Sequence, residues 1–182
     1  SVYDVSFAHT VDEPGGILAC TTYSADNDNI GLYAGPFKPA DGGCVIEARF
    51  KRADVSETAV FCGFSETLDA TTPVCPAEAT GATPTLTING SGGMAGMLDD
   101  QDCTTKAWRA VAGDGGAVAS DLATSTGTVS DEGASVDDEW DVVRVEIDVN
   151  GDAKIYHDGV LVDDVAACVT AGDVQHAVLL AE

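Results

Sequence analysis

Residues 140–163 constrain the fold more than any other part of this chain. In WDVVRVEIDV, Val143, Val145, Ile147 and Val149 alternate with Arg144, Glu146 and Asp148. A period of two places apolar side chains on one face of a strand and polar ones on the other, the pattern of a sheet with one buried face. Asn150-Gly151 follows, then AKIYH, then Asp158-Gly159, then VLV. Asn-Gly and Asp-Gly favour two-residue hairpin turns because the central positions need positive φ. The segment therefore predicts a three-stranded antiparallel meander.

Strand patterns continue upstream. GGCVIEARFK places Cys44, Ile46, Ala48 and Phe50 on one face and Glu47, Arg49 and Lys51 on the other, and TAVFCGF reads as a neighbouring strand. PTLTING, GMLDD and KAWRAVA are shorter strand segments, and QHAVLLAE closes the chain as a buried one. No stretch carries an apolar stripe at helical spacing. SETLDA is the most helix-tolerant piece, so very little helix is expected. Residues 69–84, with three of the six prolines, and residues 112–139, rich in Gly, Ser, Thr, Ala and Asp, read as long loops. The second has room for one extra strand around Ala117 to Ala119. A length of 182 residues suits one domain spanning 1–182. The fold expected is all-β, an antiparallel β-sandwich or jelly roll.

Charge narrows the partners. Eight Lys and Arg stand against 31 Asp and Glu, a formal net charge of −23. Such a chain repels phosphate backbones and anionic membrane surfaces, so neither nucleic acid nor membrane is an expected partner. The acids run along the whole chain and 22 of them are Asp, which reads as a property of the whole surface. Self-repulsion of this size is screened within a Debye length of about 3 Å at 1 M salt, so a halophilic surface is one explanation and extreme solubility another. No apolar run reaches 18 residues and the N-terminal sequence lacks the order of a signal peptide. The reading is a protein made in a cytoplasm, with Ser1 following a removed Met.

The cysteines are Cys20, Cys44, Cys62, Cys75, Cys103 and Cys168, without a C-x-x-C pair or a local His, so a zinc site is not expected. Cys62 and Cys168 sit in apolar strand-like settings and read as small buried hydrophobes. Cys75 and Cys103 flank loop-like sequence and could pair in an oxidising exterior, one of 15 complete connectivities open to six cysteines. Spacing selects no connectivity, and no disulfide is assigned.

Residues that carry chemistry are sparse. His9, His157 and His176 are scattered, and no zincin, nucleophile-elbow, Walker or dinucleotide motif occurs. His157, just before Asp158-Gly159, reads as a solvated strand end. Glu146 and Asp148 share the spacing of glycosidase carboxylates on a strand, but the third position is Asn150, and a wet face with Arg144 as neighbour explains them as well. Asp148, Asn150 and Asp152 begin like a calcium loop, yet Ala153 and Gly159 occupy its sixth and twelfth positions. The remaining metal candidates are the acidic clusters Asp26 with Asp28, and Asp99, Asp100 with Asp102, which admit a structural calcium ion. Asn89-Gly90-Ser91 is a formal glycosylation sequon that reads as a turn. Trp108 and Trp140 lie within strand patterns and are expected in the core, which leaves no aromatic platform for sugars. No catalytic residue and no cofactor are assigned, and the chain is not expected to be an enzyme.

Two resemblances rest on these blocks. WDVVRVEIDVNGDAKIYHDGVLV resembles the C-terminal meander of concanavalin A-like or laminin-G-like sandwiches. GGCVIEARFK, AVFCGFSETL, GMLDDQDCTTKAWRAVA and that meander, in order across about residues 43–170, are similar to virion proteins of tailed phages and related viruses, with Met97 and Leu98 where aromatic residues are expected. The resemblance implies a viral structural protein: a capsid decoration (cement) protein on the virion surface, bound to the major capsid protein and self-associated as a homotrimer. The alternatives on the same fold are a carbohydrate- or receptor-binding module of a tail or fibre, and a degraded glycosidase-like sandwich.

Overall fold

The computed structural model describes residues 6–10, 17–21, 29–67, 75–89, 92–114, 117–118 and 133–182. Their strands are β1 (Ser6–Thr10), β2 (Ile17–Thr21), β3 (Ile30–Phe37), β4 (Cys44–Phe50), β5 (Val60–Ser65), β6 (Ala77–Thr80) and β7 (Thr85–Ile88). Then follow β8 (Met94–Asp99), β9 (Arg109–Asp114), β10 (Ala117–Val118), β11 (Asp141–Ile147), β12 (Ala153–His157), β13 (Val160–Val165) and β14 (Gln175–Ala181). One 3₁₀ turn, Pro39–Asp41, is the only helical element among the described residues. The fold is all-β, with antiparallel sheets packed as a sandwich.

The meander is present as β11, β12 and β13, and β4 pairs on its other side, giving a four-stranded sheet in the order β13-β12-β11-β4. Asp158 and Gly159 take φ of 49° and 80° between β12 and β13, the positive values that an Asp-Gly hairpin requires. The Asn-Gly turn is wider than a two-residue hairpin: β11 ends at Ile147 and β12 begins at Ala153. Asp148 closes it, its Oδ1 accepting the backbone N–H of Asn150 at 2.7 Å and of Asp152 at 3.0 Å. Gly151 has φ of 88°, and a Cβ there would lie 2.0 Å from the Val169 carbonyl oxygen, so both conformation and space demand glycine.

The second sheet has six strands in the order β10-β9-β8-β5-β14-β3. GGCVIEARFK and TAVFCGF are not neighbours in one sheet: β4 belongs to the first and β5 to the second, so the two lie in opposing layers. Val60, Cys62, Phe64, Ala95, Met97, Ala110 and Ala112 of the six-stranded sheet meet Val143, Val145, Ile147, Ala153 and Ile155 of the four-stranded one, and Trp108 is fully buried among them. The strand β10 lies where an extra strand was expected within 112–139.

Part of the segment read as a loop at 69–84 is structured. Ala77–Thr80 pairs with Thr85–Ile88 as a hairpin. Ala77, Ala79 and Leu86 pack on Phe61, Leu98, Val111, Val178 and Leu180, covering the far face of the six-stranded sheet with a second core. Alanine carries little sequence signal of burial, which is why AEAT reads as loop. SETLDA forms no helix in its described part: Ser65 ends β5, and Glu66 accepts the Gly93 N–H at 2.9 Å.

Candidate functional site

Strand parity determines what the four-stranded sheet shows to solvent. Its outer face bears Val45, Glu47 and Arg49 from β4, Val142, Arg144 and Glu146 from β11, Lys154 and Tyr156 from β12, and Leu161 and Asp164 from β13, with Lys51 and Trp140 at the strand ends. Trp140 is therefore a surface residue, 38% exposed, in place of the core position expected for it. It shares the outward parity of Val142 and Arg144. The Arg49 guanidinium lies 4.6 Å and the Lys51 ammonium 5.8 Å from its ring centroid. Val45, Val149, Val160 and Leu161 add exposed aliphatic surface on this sheet and its turns.

Charge is distributed unevenly. Arg49, Lys51, Arg144 and Lys154, half of all the cations of the chain, stand on this face. Glu47, Glu146, Asp164 and the Asp138 that pairs with Lys51 at 3.5 Å offset them, and Asp148 and Asp152 in the β11–β12 turn leave the face with only a small acidic excess on a chain of −23. Arg144 bridges Glu146 at 2.7 Å and Glu47 at 3.2 Å, and these bonds raise its pKa.

The carboxylates considered for hydrolysis have structural partners. Glu146 is held by Arg144, and Asp148 by its own turn, whose N–H donors from Asp152 and Asn150 lower its pKa. Both line an open groove of about 380 Å³ with Gly43, Cys44, Val45 and Ile147.

The acidic cluster at 99–102 does not converge on a cation site. Asp99 is fully buried, 2.6 Å from Arg52 and 3.8 Å from Arg109, and accepts the Ala107 N–H at 3.2 Å. Asp100 turns to the N–H groups of Ala79 and Asp102, both at 2.9 Å; burial raises its pKa. Asp102 is exposed. Two arginines and fixed backbone donors, absent from a local sequence window, account for this arrangement. Asp26 and Asp28 lie outside the described residues.

His157 departs most from expectation. It is half-buried, its ring 5.7 Å from that of Trp108, and its Nε2 lies 3.0 Å from Asp141 Oδ1 and 3.9 Å from Asp158 Oδ2. The Trp108 indole N–H donates to the same Asp141 oxygen at 2.8 Å, and Arg52 stacks over Trp108 at 5.0 Å. A continuous polar chain thus runs from Asp99 through Arg52 and Trp108 to Asp141 and His157 at one end of the sandwich. Parity announces it: Asp141 is in phase with Val143 and Val145, and His157 with Ala153 and Ile155, so both strands place a polar residue at an inward position. Among the described residues, Asp141, His157 and Asp158 are the one group whose ligand atoms could meet on a metal ion.

All six cysteines are free thiols. Cys62 and Cys168 are fully buried, as small hydrophobes, and Cys75 and Cys103 are buried in the second core. Burial pushes the pKa of Cys62 and Cys75 up to about 12 and that of Cys44 to about 11.

No protein-family model matches the sequence, and no curated protein matches it significantly.

Proposed function

We propose that this chain acts by contact, as a structural protein of a virus particle: a capsid decoration protein that binds the outside of the shell and associates as a homotrimer. One observation carries the reading. The outer face of the four-stranded sheet holds half of the chain's cations, so that its acidic excess is small, and bears Trp140, Tyr156, Leu161 and Val45 on a chain of net charge −23. An acidic protein meets less repulsion through such a face than through the rest of its surface, and exposed aromatic and arginine groups are the side chains that most often anchor interfaces. The resemblance of the sequence blocks to virion proteins is the ground for the kind of partner proposed, the major capsid protein.

Size-exclusion chromatography with light scattering, in low and multimolar salt and with and without a capsid shell, tests it. A trimer that co-elutes with the shell is the expected result; a monomer that ignores the shell in both salts overturns the reading. The exposed position of Trp140 favours a second reading, a carbohydrate-binding module on a tail or fibre, since an aromatic ring on a sheet face is a surface on which sugars stack. Binding on a glycan array that is lost in Trp140→Ala would support it.

A further inference from the structure

We propose that Asp141, His157 and Asp158 bind one divalent transition-metal ion of the imidazole-accepting class, with Zn²⁺ as the probe. The site stands independently of the contact reading. The three residues come from the start of β11, the end of β12 and the turn after it, and the register that pairs Val143 with His157 fixes them relative to one another.

The distances fit a coordination shell. Zinc bonds nitrogen and oxygen at roughly 2.0–2.2 Å, so it reaches two ligand atoms together only when they lie within about 4.4 Å of each other. His157 Nε2 lies 3.0 Å from Asp141 Oδ1 and 3.9 Å from Asp158 Oδ2, and one ligand atom from each of the three residues falls within a 4.8 Å span. Asp158 is exposed, and the remaining gap is a few tenths of an ångström beyond that reach. The outer partners are in place: the Trp108 N–H holds Asp141 at 2.8 Å, and the Val142 N–H donates to Asp158 Oδ1 at 2.9 Å, which leaves Oδ2 turned toward His157.

Charge makes the case for an ion over a plain hydrogen-bonded pair. One N–H at Nε2 serves one carboxylate, and Asp141 already occupies hydrogen-bond distance. The second carboxylate stands at 3.9 Å, too far for that bond, yet faces the same nitrogen in a chain of net charge −23. A dication between them neutralises both. One imidazole and two carboxylates suit zinc and its first-row neighbours, with a fourth position left open.

The test is a Zn²⁺ titration of chelator-stripped protein with accessible thiols alkylated and with millimolar Mg²⁺ present to occupy non-specific acidic sites, followed by calorimetry, with Co²⁺ absorption as a second readout. One ion per chain is expected. Asp158→Asn should weaken Zn²⁺ binding by about tenfold or more. Asn tolerates the positive φ of 49° at this position, and its side-chain oxygen can still accept the Val142 N–H, so its urea midpoint should hold. His157→Gln should abolish the cobalt spectrum; if that variant does not fold, Asp158→Asn alone decides. Zn²⁺ binding that Mg²⁺ removes, or that Asp158→Asn leaves unchanged, overturns the proposal.

Discussion

The two sheets differ in how many of their faces are covered. Every residue of β5 and β8 in the six-stranded sheet is buried, whereas β11 in the four-stranded sheet alternates buried with half-buried and β4 alternates half-buried with exposed. The centre of the first sheet, around β5 and β8, lies between the opposing sheet and the β6–β7 hairpin, while its edge strand β3 is largely exposed; the second has one bare face. The sequences carry that contrast: VFCGFS and MAGMLD are continuous apolar runs with small residues, CVIEARF and DVVRVEI are strict alternations. Cations follow the same division. Arg52 and Arg109 are buried against Asp99 beside the covered sheet, and four of the exposed ones sit on the bare face.

The largest effects should therefore come from the covered side. Asp99→Ala takes from the buried Arg52 the carboxylate 2.6 Å away and should cost about 3–5 kcal/mol, read as a fall in the urea midpoint at constant slope. Phe61→Ala opens the second core under the hairpin and should cost a similar ~3–5 kcal/mol. A loss below about 1 kcal/mol at Phe61 would mean that the hairpin does not close that face, and the contrast between the sheets would collapse.

On the bare face the same kind of truncation should barely register in stability. Trp140→Ala removes an exposed ring and its cation–π contacts and should cost about 1 kcal/mol or less, while abolishing the capsid-shell binding proposed above. Arg144→Ala should leave the urea midpoint unmoved, since its ion pairs are open to water. A large stability loss at Trp140 with intact binding would make the ring a structural element instead of a contact.

Much of this division was legible from residue order. The meander, the alternation of β4 and the terminal buried strand follow from a period of two and from Asp-Gly turn chemistry, which act locally. The hairpin over the covered sheet was not legible, because Ala77 and Ala79 bury by position rather than by hydrophobicity. Trp140 lies on the outer face because strand parity, not aromatic character, decides its side. The Asp141–His157 pair joins strands through pairing, and its inward phase is visible only once β11 and β12 are aligned. Asp99 finds its partners 47 and ten residues away in Arg52 and Arg109, beyond any local pattern.

Thiol reactivity separates the sheets more finely. Cys62 lies inside the covered sheet with its pKa pushed up to about 12, and Cys44 at the rim of the bare one with its own at about 11. At pH 8 a thiol-specific reagent should modify exposed Cys20 first and Cys44 slowly, while Cys62, Cys75, Cys103 and Cys168 should react only after unfolding in urea. Rapid modification of Cys62 in the native protein would show that the covered sheet opens.

The smallest effect is the pH response of one carboxylate from each side. Asp100, beside the hairpin, is raised from its ordinary value by burial; Asp148, in the turn of the bare sheet, is lowered by the N–H groups of Asp152 and Asn150. The linkage signs are opposite. Asp148 adds stability above its unfolded value, and that contribution is lost as pH falls through its depressed folded value. Asp100 opposes folding when ionised, and that penalty is relieved as pH falls through its raised folded value. Side-chain carboxyl NMR during acid titration should therefore find Asp100 protonating before Asp148. Asp100→Asn should flatten the stability curve on the upper side of the carboxylate range, and Asp148→Asn should flatten it on the lower. The reverse order of titration would mean that the hairpin admits water to Asp100 and that the turn of the bare sheet does not hold Asp148, which would erase the electrostatic difference between the two sheets.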